Sequence, residues 1–232
     1  MAAPRLLILE TSGRVGQVAL AEGGALRGLR RLDEARRHAR DLAPAVKELL
    51  AACGWRPRDV QGVIVGRGPG SYTGLRVGIM SAKTFAYATG CTLLAVDTFA
   101  AIAGQAPAEA LRLDVLADAQ QDRVYVQPYS RFAPGSAPLP AGPLAIRPFA
   151  DWLAHRQPDA RATGPGLRGK EDRLAAAIPA VEAARWDPTA GALLEIGLER
   201  FRRGERDDFW AVEPLYLRPS AAEEQLKSRP TP

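Results

Sequence analysis

Apolar residues alternate from Leu6 to Leu9, return at Val15, Val18 and Leu20, and return again at Leu26 and Leu29; turn residues part the runs at 11–13 and 22–24. A period of two broken by short turns predicts three strands in an antiparallel meander. Leu42, Val46, Leu49, Leu50 and Cys53 then fall at helical spacing. They predict a helix over 41–53, with Asp41 as N-cap and Pro44 in the first turn, where a missing N–H is tolerated. A strand over 60–65, a helix from Gly74, a strand at Thr92–Val96 and a short helix at Thr98–Gln105 complete the first half.

The second half starts over. A strand from Leu113 to Leu116 reaches Asp118, a polar turn follows at Gln120–Asp122, and Val124, Val126 and Tyr129 continue as a second strand. Laying Glu10 on Asp118 brings Val18 onto Val126, so the order of acid, turn and strand is used twice. Three strands followed by alternating helix and strand is the order of a ribonuclease-H-like or actin-like unit, and its duplication predicts a cleft between two related halves. We therefore divide the chain into 1–105, 106–218 and a polar tail, 219–232, whose composition reads as disordered. The Pro/Gly/Ala stretch Ala133–Pro143 reads as a long hairpin loop, and Thr189–Arg203 as a late helix.

The segment VIVGRGPGSYTGLRVGIMSAKTFAYATGC, from Val63 to Cys91, runs from an apolar strand through a glycine-rich turn into a helix. Gly66, Gly68, Gly70 and Gly74, with Pro69 among them, permit close backbone approach, and Ser71 or Thr73 can cap the helix. A turn of this kind often holds phosphate at the helix N-terminus. Neither G-x-G-x-x-G nor the P-loop pattern fits, so the loop belongs to another lineage.

Composition narrows the chemistry. Cys53 and Cys91 are the chain's two cysteines and lie far apart, which points to a reducing, cytoplasmic setting. No run of the sequence approaches a membrane span. The net charge is +5, and only four of the 31 basic residues are lysines. Arg27, Arg30, Arg31, Arg36, Arg37 and Arg40 form one basic cluster and Arg200, Arg202, Arg203 and Arg206 another, both candidates for phosphate contact. Few aromatics lie among them, so a stacking platform for single strands is not expected.

Catalytic groups are scarce. His38 and His155 are the only histidines and lack partners at helical spacing, so a histidine metal site is not expected. Ser71 lies outside a nucleophile elbow and reads as a cap; the cysteines read as packed residues. Glu10 and Asp118 each close an apolar strand before a turn. With Gly68, Gly70 and Ser71 they form the candidate nucleotide site. On the helix after the glycine loop, Arg76, Met80, Lys83 and Tyr87 share one stripe, opposite Leu75, Gly78, Ile79, Ala82, Phe85 and Ala86. Long amphipathic side chains on that stripe, beside the helix carrying Leu42, Val46 and Leu49, predict a two-helix surface for a protein partner.

These residues resemble the TsaB (YeaZ) family. The resemblance is carried by GRGPGSYTGLRVGI (66–79), LLILETSGRVGQVAL (6–20), RHARDLAPAVKELL (37–50), LADAQQDRVYVQPY (116–129) and EPLYLR (213–218). It implies an α/β, actin-like ATPase (ASKHA) fold of two ribonuclease-H-like halves, with mixed sheets flanked by helices. It also implies a non-catalytic subunit of the assembly that makes threonylcarbamoyladenosine in tRNA, pairing through its first two long helices with itself or with the transferase TsaD and helping recruit the ATPase TsaE. The implied subunit needs no cofactor or metal of its own, leaves ATP or ADP to the assembled complex, and meets tRNA only through that complex. Two positions depart from the family pattern: Glu10 stands for the usual aspartate, and Ala39-Arg40 for the usual Ser-Glu. A lone actin-like phosphotransferase using Glu10, Asp118 and the glycine loop is the rival reading, and a tRNA-binding module a third.

Overall fold

The computed structural model describes residues 3–32, 38–174 and 178–216. The expected tail, Arg36 and Arg37, and the side chain of His38 lie outside the described residues. The three expected strands form as β1 (Arg5–Glu10), β2 (Gln17–Glu22) and β3 (Ala25–Arg31). β1 and β2 run antiparallel with Leu7 opposite Leu20, and β2 pairs in the same sense with β3. Helix α1 spans His38–Ala52, β4 spans Gly62–Gly66, α2 spans Tyr72–Thr89, β5 spans Thr92–Val96 and α3 spans Thr98–Gly104. β4 joins β1 in parallel and β5 joins β4, giving a five-stranded mixed sheet in the order β3-β2-β1-β4-β5.

β1 is apolar at successive positions because both of its faces are covered. Leu7, Leu9, Val18, Leu20, Val63 and Val65 pack on one side with Leu42 and Leu49 of α1 and Ile79, Ala82 and Ala86 of α2. Leu6, Ile8, Ala19, Ala21, Ile64 and Leu94 fill the other side. The small residues of α2 bring it close to the sheet, as expected: a Cβ on Gly78 would lie 2.1 Å from Thr11 Oγ1. Ser71 caps α2, its Oγ accepting from Gly74 N at 3.3 Å, and Gly90 at φ 74° ends it.

α1 begins three residues before the expected start. Asp41 is thus inside the first turn, pairing with Arg40 Nε at 3.0 Å rather than capping, and Pro44 is within the helix. Proline there withholds the N–H that Arg40's carbonyl would receive; both residues are exposed, so water can serve that carbonyl.

The second sheet repeats the plan in shortened form. β6 (Arg112–Asp118) pairs antiparallel with β7 (Arg123–Ser130), Leu116 opposite Val126, and β7 pairs with β8 (Leu139–Pro140) and β9 (Ala145–Pro148). β8 interrupts the stretch read from sequence as an unbroken loop; Pro140 lacks an N–H and suits an edge. After α4 (Phe149–His155), β10 (Arg161–Thr163) lies parallel to β6, and α5 (Glu171–Leu174) follows. β6, β7 and β10 thus hold the places of β1, β2 and β4.

Helix α6 (Ala190–Arg202) comes last in the chain, yet it lies on the first sheet. Leu193, Leu194 and Leu198 fill the second face beside α3. A Cβ on Gly197 would come 2.5 Å from Ile64 Cδ1, so glycine admits the close crossing. Thr189 caps this helix, and Ala190 N donates to Gln17 Oε1 of β2 at 3.0 Å. Among the described residues, no helix is long and apolar enough to cross a membrane.

Candidate functional site

Two regions hold the candidate residues. The first is the turn after β1, where Glu10 is wholly buried. Its Oε1 accepts from Ser12 N and Ser12 Oγ, both at 2.5 Å, while Oε2 is buried without a hydrogen-bond partner. Gly66 on β4 stands so near that a Cβ there would meet Oε2 at 2.3 Å. Loss of hydration pushes the Glu10 carboxyl above the ordinary range, and the Ser12 bonds offset this in part. A carboxyl so enclosed offers no open edge to a metal-bound phosphate.

The glycine loop closes over the same turn. Ser71 N donates to Ser12 O at 2.8 Å, and Gly68 N donates to Thr98 Oγ1 at 3.1 Å. Thr98 Oγ1 in turn donates to Ser12 Oγ at 3.2 Å. A Cβ on Gly70 would fall 2.5 Å from Ser12 O, so glycine is needed for the backbones to meet. Gly68, Gly70, Ser71 and Glu10 are therefore brought together as expected, but the amides of Gly68 and Ser71 already have protein partners.

Asp118 does not join them. It is exposed, and its Oδ1 accepts from Gln120 N at 3.0 Å, holding a turn in which Gln120, Gln121 and Asp122 take φ of 63°, 54° and 52°. Such left-handed residues cost about 1–3 kcal/mol each. Phe149 N donating to Asp122 O at 2.9 Å, and pairs from Asp122 to Arg173 and Lys170 at 2.9 and 3.3 Å, fix the turn. No hydrogen bond or ion pair among the described residues links Asp118 to Glu10 or to the glycine loop.

The second region is the outer side of the α1–α2 layer. Met80 is 59% exposed and Tyr87 72%, with exposed Arg76 and half-buried Lys83 on the same ridge. The stripe expected on α2 thus faces outward. The α1 residues assigned to the same surface do not: Leu42 and Leu49 are 1% and 6% exposed in the core, and Val46 is half-buried against it. Their spacing marks the face that seats on the sheet. Solvent instead meets Ala43, Pro44, Lys47 and Glu48.

A strap missed by the sequence reading lies along the other flank of α2. Asp207 N donates to Leu93 O on the free edge of β5 at 2.9 Å, and Leu215 N donates to Arg67 O at 2.8 Å. Between these anchors Phe209 and Trp210 meet Tyr87 edge-on, with ring centroids 6.0 and 6.5 Å away. Tyr216 stacks on Tyr72 at 4.8 Å, and its hydroxyl accepts from Arg76 Nε at 3.1 Å. The strap therefore runs antiparallel to α2. Its clearest sequence signal was the aromatic set Phe209, Trp210 and Tyr216 in the run 205–216.

Five of the eight described arginines of the two clusters are engaged within the fold. Arg200 donates to Ala95 O, Glu205 and Asp207 at 2.8, 2.7 and 2.9 Å, and Arg203 pairs with Glu199. Arg27 is bound by Glu22, and Arg30 lies 3.9 Å from Glu48.

Comparison with known proteins agrees with this architecture. The model of the family described as TsaD, tRNA N6-adenosine threonylcarbamoyltransferase, matches residues 32–158. The solved structure of YeaZ from Pseudomonas aeruginosa superposes with a TM-score of 0.77 at 31% identity, covering 92% of this chain and 100% of that one. The tRNA threonylcarbamoyladenosine biosynthesis protein TsaB of Escherichia coli is 26% identical over 97% of this chain and 99% of its own length. Its Bacillus subtilis counterpart is 29% identical over 78% and 79%. With two mixed sheets flanked by helices, the molecule is an actin-like α/β protein of two ribonuclease-H-like halves. Within that class, the chain belongs to the TsaB (YeaZ) family.

Proposed function

We propose that this chain takes part in forming threonylcarbamoyladenosine in tRNA, as a cytoplasmic scaffold that performs no chemistry alone. It docks the TsaD transferase through the outward ridge of α2 and helps recruit TsaE. Alone, it pairs with a second copy through the same side. ATP or ADP belongs to the assembled complex, and tRNA is met only there. In this reading the first sheet with α1, α2, α6 and the strap acts as a docking body, and the second sheet as its brace.

One contrast carries the reading. At the turn after β1 the Glu10 carboxyl is sealed and the amides of Gly68 and Ser71 are engaged internally, whereas Met80 and Tyr87 stand exposed on α2. A helix seam of standard size buries about 1,600 Å² in total. Met80→Asp puts a carboxylate into that seam and should abolish capture of the transferase in a pull-down, with the chain still folded. Unchanged capture would remove the ridge from the reading. Calorimetry with magnesium-ATP tests the rival phosphotransferase: tight binding with turnover by the isolated chain would favour it.

A further inference from the structure

Helix α3 lies between the two sheets and takes part in the cores of both. On one side Ala101 shares the second face of the first sheet with Leu193, Leu194 and Leu198 of α6. On the other, Phe99 and Ile102 pack with Leu113 and Val115 of β6 and Tyr129 of β7. Each of these five residues is 2% exposed or less, so the joint between the halves is dry core rather than a wetted boundary.

Both ends of α3 are fastened. At its start, Thr98 Oγ1 accepts from Gly68 N at 3.1 Å and donates to Ser12 Oγ at 3.2 Å, which ties the helix to the turns of the first sheet. At its end, Arg131 reaches over from the residue after β7. Its Nη2 donates to Ala103 O and Ala106 O, each at 3.1 Å, and its Nη1 donates to Ser136 O at 2.9 Å. A guanidinium suits the carbonyl end of a helix in hydrogen bonding and in charge.

Gln105 completes the joint. The chain leaves the first sheet after α3 and returns to it before α6, and Gln105 stands on the outward passage. Its Nε2 donates to Arg185 O at 3.1 Å and to Asp187 O at 2.8 Å, both on the return passage. Its Oε1 accepts from Thr189 Oγ1 at 2.6 Å, and its backbone carbonyl accepts from Arg185 Nη1 at 2.9 Å. One carboxamide thus staples the two passages together. Halves of a chain move against each other as a rule, unless a large apolar interface prevents it. Hinge closure around a ligand depends on that motion. Here it would draw Phe99 and Ile102 off the second sheet, strip Arg131 from two carbonyls and break the Gln105 staple.

We infer that α3, Arg131 and Gln105 form a lock that holds the two halves of this chain at one angle, so that the body does not hinge. The lock rests on the joint alone and is independent of which partner α2 meets.

Pulsed electron-electron double resonance between spin labels on the two halves reads this angle. Glu195→Cys on α6 and Ala154→Cys on α4 place labels at exposed positions of helices packed on the first and second sheets. Cys53 and Cys91 are replaced by alanine, and labelled chain is diluted in unlabelled chain so that only distances within one molecule count. This parent should give one narrow distance distribution, which saturating magnesium-ATP leaves in place. Gln105→Ala removes three side-chain hydrogen bonds, each worth up to about tenfold in an equilibrium. Combined with Arg131→Met, which keeps the unbranched stem and removes the donors, it should bring up a second distance population in a chain that circular dichroism shows to be folded. A broad or two-population distribution in the parent, or a shift on adding magnesium-ATP, overturns the lock. So does a folded double variant whose distribution matches the parent's. Should the double variant not fold, the parent's distribution with and without magnesium-ATP decides alone.

Discussion

The two halves end their first strands alike and use the ends differently. β1 and β6 each stop at an acid before a turn, but Glu10 is sealed between β4 and the glycine loop, while Asp118 stays in water and braces a left-handed turn. The surrounding sheets differ in the same direction. Both have five strands, but the first carries long helices on both faces, including α6 contributed from the far end of the chain, whereas in the second β8, β9 and β10 are short and so are α4 and α5. A repeated sequence plan therefore keeps strand order while burial, and hence chemistry, is free to diverge.

This contrast is sharpened by substitutions whose effects should fall in order. Leu42→Ala, deep under α1, should cost about 2–5 kcal/mol in urea unfolding, because a cavity in the first half cannot collapse between two covered layers; a cost under 1 kcal/mol would break the comparison. In the second half, Trp152→Phe keeps an aromatic ring at the site but removes the donor to Asp114 Oδ2, now at 3.0 Å. The loss should be only about 1–3 kcal/mol, the cost of one unsatisfied buried carboxyl.

Glu10→Gln tests the sealed acid through pH. Burial makes the folded chain hold the Glu10 proton more tightly than the unfolded chain. The stability this provides is complete below the unfolded value near 4.5 and is lost as pH rises toward the raised folded value. The neutral variant should show a flatter dependence of unfolding free energy on pH across that window, and an unchanged slope would mean that Glu10 is not sealed. Asp118→Asn, at the exposed counterpart, should change stability by about 0.5 kcal/mol or less.

Much of the fold was legible because its signals are local. The meander β1–β3 and the bounds of β5 follow from alternation and turn residues, and Ser71 and Thr189 cap α2 and α6 by side chains next to the helices they serve. Long-range facts were not legible. The spacing of Leu42, Val46 and Leu49 identifies one face of α1, but period alone does not say whether a face meets a sheet or a partner. The strap has no period, and its course is set by Leu93, Arg67, Tyr72 and Arg76, all more than 100 residues earlier. The amides of Gly68 and Ser71 looked free for phosphate because Thr98 and Ser12, which occupy them, stand far away in sequence.

The exposed α2 ridge must be a docking face rather than uncommitted surface. Sedimentation of an equimolar mixture with the transferase of the same genome reads this directly. A one-to-one complex with the wild-type chain, absent with a folded Met80→Asp chain, is the predicted result. Two separate species for the wild type, or a complex indifferent to the substitution, would contradict it.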